Sequence, residues 1–229
     1  MALQEADWES IHKWLQPKRS EYWVEEPSLT QKVFLKTTAQ EVLFGGAAGG
    51  GKSSALLMAA LQYVDIPNYS AILFRRTYAD LALPGALMDR FRDWISSFDD
   101  IHWNANQYTA TFPSGARITF GYLNNSQDYL RYKGSEFQFI GMDEVTEIRE
   151  ADYRYLFSRL RRPSTGPLSQ VPLRMRAATN PAPNWVRQRF LVEGNDKGRI
   201  FVPSKLTDNP GIDPDSYRAV LAELDPIER

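Results

Sequence analysis

The chemistry in this sequence is densest at residues 44–54, Phe-Gly-Gly-Ala-Ala-Gly-Gly-Gly-Lys-Ser-Ser. Gly46, Gly51, Lys52 and Ser53 satisfy the spacing G-x-x-x-x-G-K-[ST], directly after the apolar run Val42-Leu43-Phe44. Each residue type answers a requirement of holding a polyphosphate. Glycines let the chain curl so that successive N–H groups turn toward phosphate oxygens, here across Gly46, Ala47, Ala48, Gly49, Gly50 and Gly51. Lys52 brings a compact positive charge to the β- and γ-phosphates. The Ser53 hydroxyl is a ligand for Mg²⁺, and Ser54 follows it in the first helical turn. A helix starting there aims the positive end of its dipole at the same anion. A glycine-rich turn with a chance Lys-Ser would not bring the strand before it and the helix after it as well. The segment predicts a site for a nucleoside triphosphate, ATP with Mg²⁺.

A second constellation is Phe137-Gln138-Phe139-Ile140-Gly141-Met142-Asp143-Glu144, an apolar strand that ends in two acids. Alone it would read as a strand with solvated carboxylates. Behind a phosphate loop, Asp143 becomes the metal-side carboxylate and Glu144 the base that orients and deprotonates water. Glutamate at that place points to hydrolysis, because switch-type GTPases position water with glutamine. A third strand, Leu173 to Thr179, ends in Thr179-Asn180-Pro181. That polar pair falls where α/β sheets bind ligands, suited to sensing the γ-phosphate, although a plain turn explains it equally well. Upstream, the Gln31 amide offers a donor and an acceptor to an adenine edge, while Ser28 or Thr30 caps the helix.

These residues must be positioned by an alternating α/β chain. Strands are expected at 42–45, 71–76, 107–112, 116–122, 136–142, 173–179 and 199–202. Helices are expected at 30–38, 53–64, 85–97, 150–161, 184–192 and 214–224. Ala55 to Leu61 is apolar all round, as befits a helix buried between layers. Helices between strands predict a mostly parallel sheet, with 107–112 and 116–122 forming an antiparallel hairpin about Pro113-Ser114-Gly115. An amphipathic helix carrying Trp8, Ile11, Trp14 and Leu15 precedes this core.

Composition narrows the chemistry further. The 229 residues suit one large domain, and the absence of cysteine removes disulfides, thiolate metal sites and thiol nucleophiles. His12 and His102 are the only histidines, too few for a histidine metal site. Charges balance at 27 basic against 28 acidic, so a nucleic-acid partner would have to be met by a local cluster. Arg154, Arg159, Arg161, Arg162, Arg174, Arg176, Arg187 and Arg189 supply such a run, which suits phosphate contacts or a subunit interface. No apolar run approaches the roughly 20 residues of a membrane span.

Taken in order, Leu29-Thr30-Gln31, the phosphate loop, Leu73-Phe74-Arg75-Arg76-Thr77-Tyr78, Asp143-Glu144, Tyr155 to Arg161 and Ala178-Thr179-Asn180-Pro181 with Trp185-Val186 resemble one family. It is the ATPase domain of the large terminase subunit of tailed bacteriophages, and Asp208-Asn209-Pro210 extends the likeness over roughly 27–229. The resemblance implies a P-loop NTPase fold of the RecA-like, catalytic-glutamate (ASCE) class: a mostly parallel sheet flanked by helices, with a small C-terminal lid subdomain. It divides the chain into an N-terminal extension (1–26), an ATPase core (27–198) and a lid (199–229) leading toward an RNase H-like nuclease domain that would begin near Arg229. No nuclease activity is therefore assigned to these residues. Gln31 becomes an adenine-reading element and Thr179-Asn180 the coupling motif. The implied setting is the host cytoplasm, at the procapsid portal. Implied partners are double-stranded DNA, the portal protein, the small terminase subunit and further copies in a homo-oligomeric ring.

Relatives also use an arginine against transition-state charge, from the phosphate loop or from a neighbouring subunit. Positions 47–50 are Ala-Ala-Gly-Gly, so the loop carries none here. Arg131 is the first candidate for a trans arginine, with Arg159 and Arg162 as rivals, while Arg75 and Arg76 could instead touch DNA or nucleotide. Two other readings stand beside the packaging motor: a helicase-like DNA-dependent ATPase, and a nucleotide-gated docking module with little turnover of its own.

Overall fold

The computed structural model describes residues 16–46, 49–180, 182–194 and 197–209. Among them, eight strands form one sheet in the order β3-β4-β5-β2-β6-β7-β1-β8. They are β1 (Glu41–Gly46), β2 (Ser70–Arg75), β3 (His102–Asn104), β4 (Thr109–Thr111), β5 (Arg117–Tyr122), β6 (Phe139–Asp143), β7 (Arg174–Thr179) and β8 (Arg199–Ser204). From β5 to β8 across the sheet every pairing is parallel; β3 and β4 add an antiparallel flap at one side. Parallel neighbours finish together. Register places Arg75 beside Tyr122, Asp143 beside Ala178, Gly45 beside Thr179 and Gly46 beside Ser204, all at the carboxyl edge.

Helices cover both faces. On one lie α1 (Leu29–Lys36), α2 (Lys52–Leu61), α3 (Tyr78–Ala82) and α4 (Leu87–Ile95); on the other lie α5 (Glu150–Phe157) and α6 (Trp185–Arg187). Alternation along the strands divides the core accordingly. Val42, Phe44 and Leu73 pack with Phe34, Leu56 and Phe91, while Leu43, Ile72, Ile140 and Met175 pack with Tyr153, Leu156 and Phe190. Every residue from Ser54 to Leu61 is buried, the all-round burial its apolar composition predicts.

Departures from the expected elements have local causes. The expected helix 85–97 is α4, Leu87–Ile95, and Pro84 and Gly85 (φ 75°) separate it from α3, a short helix not expected from the sequence and capped by Thr77 and Asp80. Helix 150–161 stops at Phe157 because the backbone at Arg159 and Arg161 bonds to Phe137 instead. The expected helix 184–192 tightens to α6 and widens into a π-helix at Gln188–Val192. β3 is too short to show a period. β8 pairs with β1 along its whole length, so the sheet extends past the expected core boundary at 198 to Ser204. The helices expected around Trp8 to Leu15 and at 214–224 lie outside the described residues. Residues 16–26 join the body: Tyr22 and Trp23 are buried, and the Trp23 indole donates to Met58 O at 3.0 Å.

One buried charge cluster ties the amino edge together. Glu41, at the start of β1, receives Arg199 at 3.1 Å, Arg189 through both carboxylate oxygens, and the Tyr153 hydroxyl at 3.1 Å. Removing Glu41 leaves these cations, 9% and 13% exposed, with only the longer contacts to Glu150 at 4.0 Å and Glu193 at 3.7 Å. Glu41→Ala should therefore lower unfolding free energy by about 3 kcal/mol, the low end of the penalty for breaking a buried ion pair, as read from urea denaturation.

Candidate functional site

The phosphate loop leaves β1 at Gly46, where φ is +142° and an added Cβ would lie 1.9 Å from Ser204 O. Only glycine fits between these strands. Gly49 and Gly51 also take positive φ, and Gly51 in the left-handed region is the N-cap of α2. The first-turn amides of α2 are thereby aimed out of the carboxyl edge, where an anion can meet them.

Lys52 is buried on the same turn, and its Nζ donates to Asn180 Oδ1 at 2.6 Å. The loop lysine is thus joined to the end of β7. Burial pushes the Lys52 ammonium down, an effect offset by the charges of Glu144 and Asp143. Ser53 Oγ lies 3.5 Å from Asp143 Oδ1. A hydroxyl and a carboxylate this close are hard oxygen donors of the type Mg²⁺ takes, beside phosphate oxygens and water. The residues present fit that ion. Among the described residues no cluster of three or more His, Cys, Asp or Glu forms a metal cage, and a nucleotide-borne ion needs none.

Asp143 is 4% exposed at the tip of β6. Burial pushes its carboxyl up to about 6, against the opposing pull of Arg75 and Lys52, while Glu144 adds to the rise. Glu144 follows in the left-handed region (φ 46°, ψ 53°), a strained conformation for a side chain of this kind. Its carboxylate is held from two sides. Thr179 Oγ1 donates to Glu144 Oε2 at 3.1 Å, and Thr146 Oγ1 lies 2.8 Å from Thr179 Oγ1. Arg75, from the end of β2, sits 3.4 Å from Asp143 and 4.0 Å from Glu144.

Residues 43–166 match the family described as terminase large subunit, T4likevirus-type, N-terminal. The chain belongs to the terminase large subunit family. No curated protein matches its sequence. Among solved structures, the large terminase of a thermophilic bacteriophage in complex with ADP superposes with a TM-score of 0.71 at 13% identity, over 87% of this chain and 51% of that one. The Thermus phage P74-26 large terminase ATPase domain gives 0.61 at 14% identity, over 91% and 92% of the two chains. The HK97 bacteriophage large terminase gives 0.64 at 11% identity, over 94% and 50%. At these identities the likeness is one of fold. The terminase chain spans about half the length of the full large terminases it matches.

Within this terminase chain the structure gathers Gly46, Gly51, Lys52, Ser53, Asp143, Glu144, Thr179 and Asn180 at one edge. Other expected residues stand differently. The Ser54 hydroxyl accepts from Arg90 Nη1 at 2.8 Å and so faces α4, leaving only its backbone amide for phosphate. Gln31 completes a capping box by accepting from Ser28 N at 2.8 Å, and its Nε2 donates to Gly51 O at 2.9 Å. One end of that amide caps α1 and the other braces the loop, so reading adenine would fall to its second hydrogen and lone pair. Ala47 and Ala48 lie outside the described residues.

The arginines separate clearly. Arg131 is half exposed on the carboxyl edge, over the Tyr122 ring at 4.6 Å and 3.4 Å from Asp128. Arg159 stacks on Tyr155 beside Phe137, at the amino end of β6. Arg162 donates to Val171 O at 2.6 Å, ahead of β7 on that same side. A five-residue strand is about 16 Å long, so Arg159 cannot reach the phosphate loop of its own chain. An apolar cavity of about 460 Å³ between α1 and β8, lined by Val33, Thr37, Ala39 and Ile200, also opens at the amino edge and carries none of this chemistry. Arg75, which the sequence left between DNA and nucleotide, faces the two carboxylates because the strand it ends pairs with the acidic one.

The displaced Asp143 equilibrium has a testable consequence. A carboxyl raised by folding contributes stability that is fully present below its unfolded value near 4 and is lost as pH rises through about 6. Without divalent metal, the chain should lose up to about 3 kcal/mol between pH 4 and pH 7 from this group. Asp143→Asn should remove that slope and raise the unfolding midpoint at pH 7.5, as followed by denaturant titration in EDTA.

Proposed function

We propose that this chain is the ATP-hydrolysing motor domain of a terminase large subunit, coupling ATP turnover to translocation of double-stranded DNA. The observation that carries this reading is the meeting of Lys52, Asp143, Glu144 and Asn180 at adjacent strand ends. Loop amides and Lys52 bind the phosphates, and Gln31 lies next to the loop, where it can report adenine. Ser53 and Asp143 would hold Mg²⁺, which would neutralise phosphate charge. Glu144, strained and oriented by Thr179, accepts the proton of the attacking water. Arg75 tempers repulsion between the two adjacent carboxylates.

Two contacts suit the step from chemistry to motion. Lys52 shares its ammonium donors between Asn180 and the phosphate oxygens, and Thr179 touches the base itself. A change at the γ-phosphate is thereby felt at the end of β7 and in the residues that follow. Arg131, half exposed on the carboxyl edge, is suited to reach the site of a neighbouring subunit in a ring. Portal protein, small terminase subunit and host cytoplasm complete the setting. Among the described residues no helix is long and apolar enough to cross a membrane.

Glu144→Gln should bind ADP and ATP with near-normal affinity and lose hydrolysis by 10²- to 10⁴-fold, measured by phosphate release alongside nucleotide titration. Turnover near that of the unsubstituted chain would remove Glu144 from the role of base.

A further inference from the structure

Three successive carbonyls of the phosphate loop are each held by a side chain from a different part of the chain. Asn209 Nδ2 donates to Gly49 O at 2.6 Å, Ser204 Oγ to Gly50 O at 2.9 Å and Gln31 Nε2 to Gly51 O at 2.9 Å. Gly51 O also accepts Ala55 N at 3.1 Å, the first bond of α2. Ser204 and Gln31 are buried, and Asn209 is half-buried.

The consequence follows from peptide geometry. In a trans peptide the carbonyl of one residue and the N–H of the next point in opposite directions across one rigid plane. Drawing the Gly49, Gly50 and Gly51 oxygens outward therefore turns the Gly50, Gly51 and Lys52 amides inward. Those are consecutive donors of the anion nest. A glycine-rich loop has little conformational preference of its own, and so gains most from such external restraint.

We propose that Asn209, with Ser204 and Gln31, is a positioning residue that sets the amide orientation of the phosphate loop and hence its affinity for phosphate. Asn209 lies just past the last strand, whereas Ser204 and Gln31 sit in regular elements. It is accordingly the member of the trio through which movement of the chain after β8 adjusts nucleotide binding. By reciprocity, nucleotide binding restrains Asn209. This rests on the reading of the loop as a nucleotide site.

The test is calorimetric titration of the full chain with Mg²⁺-ADP, together with steady-state ATP hydrolysis. Loss of one neutral hydrogen bond corresponds to about a two- to tenfold change. Asn209→Ala should weaken ADP binding within that range and raise KM for ATP with kcat little altered. Asn209→Asp, which sets a carboxylate against the Gly49 carbonyl, should weaken it more. Ser204→Ala should weaken it comparably, and it carries the test if the Asn209 variants do not fold. A residue that only stabilises the fold would lower the thermal midpoint and leave ADP affinity alone. Unchanged ADP affinity in folded Asn209→Ala and Ser204→Ala overturns the positioning role and leaves the ATPase reading standing. An unsubstituted chain that binds no ADP overturns both.

Discussion

The carboxylate of Asp143 is the constraint on which the site is organised. It is almost wholly withdrawn from water at the end of a central strand, where an unaccompanied charge is costly. Its surroundings answer that cost piece by piece: Arg75 from the neighbouring strand, Lys52 from the loop helix and the Ser53 hydroxyl. The compensation is incomplete, because burial still outweighs it and favours the protonated form at acid pH. A divalent cation with its bound phosphates is the natural completion of such an arrangement. The parallel sheet makes it possible, since strands running in one direction deliver their ends to one edge.

Around that charge the polar contacts form a connected chain. Thr146 meets Thr179, Thr179 holds Glu144, and Asn180 holds Lys52. Glu144, Lys52 and the end of β7 thus cannot move independently. Glu144 pays for its place with a left-handed backbone, and strain of that kind persists only where surrounding bonds over-determine it. On the other side of the loop, Gln31, Ser204 and Asn209 hold the carbonyls outward. The phosphate loop is braced from without and matched to its ligand from within.

Much of this was legible in the sequence because it rests on local rules. The glycines at 46 and 51 announce positive φ, the all-apolar run from Ala55 announces a helix buried between layers, and acids after Met142 announce a strand end. The sheet core, its helices and the placing of two acids at one strand end are all reached this way. What escaped depends on register and distance across the chain. Nothing near Arg75 reveals that β2 pairs with β6 level with Asp143; that follows only from strand order. Arg159 stood as a rival to Arg131, and only the bridge from Phe137 to Leu160 reveals that it lies at the opposite edge of the sheet. The likeness of Ser54 to Ser53 hides their divergence, since adjacent helical residues point about 100° apart and Ser54 meets Arg90 instead. β8 was expected as a strand at 199–202, but its pairing with β1 joins residues more than 150 positions apart and leaves no local mark.

The central claim is that this edge turns over ATP and draws on a neighbouring subunit to do so. Phosphate release from Mg²⁺-ATP, measured over a wide range of concentrations of the purified chain, tests it most directly. The account predicts a rate per chain that climbs with protein concentration as sites come together. A chain that binds ADP yet releases no phosphate at any concentration would contradict it, and would make the domain a nucleotide-gated docking module.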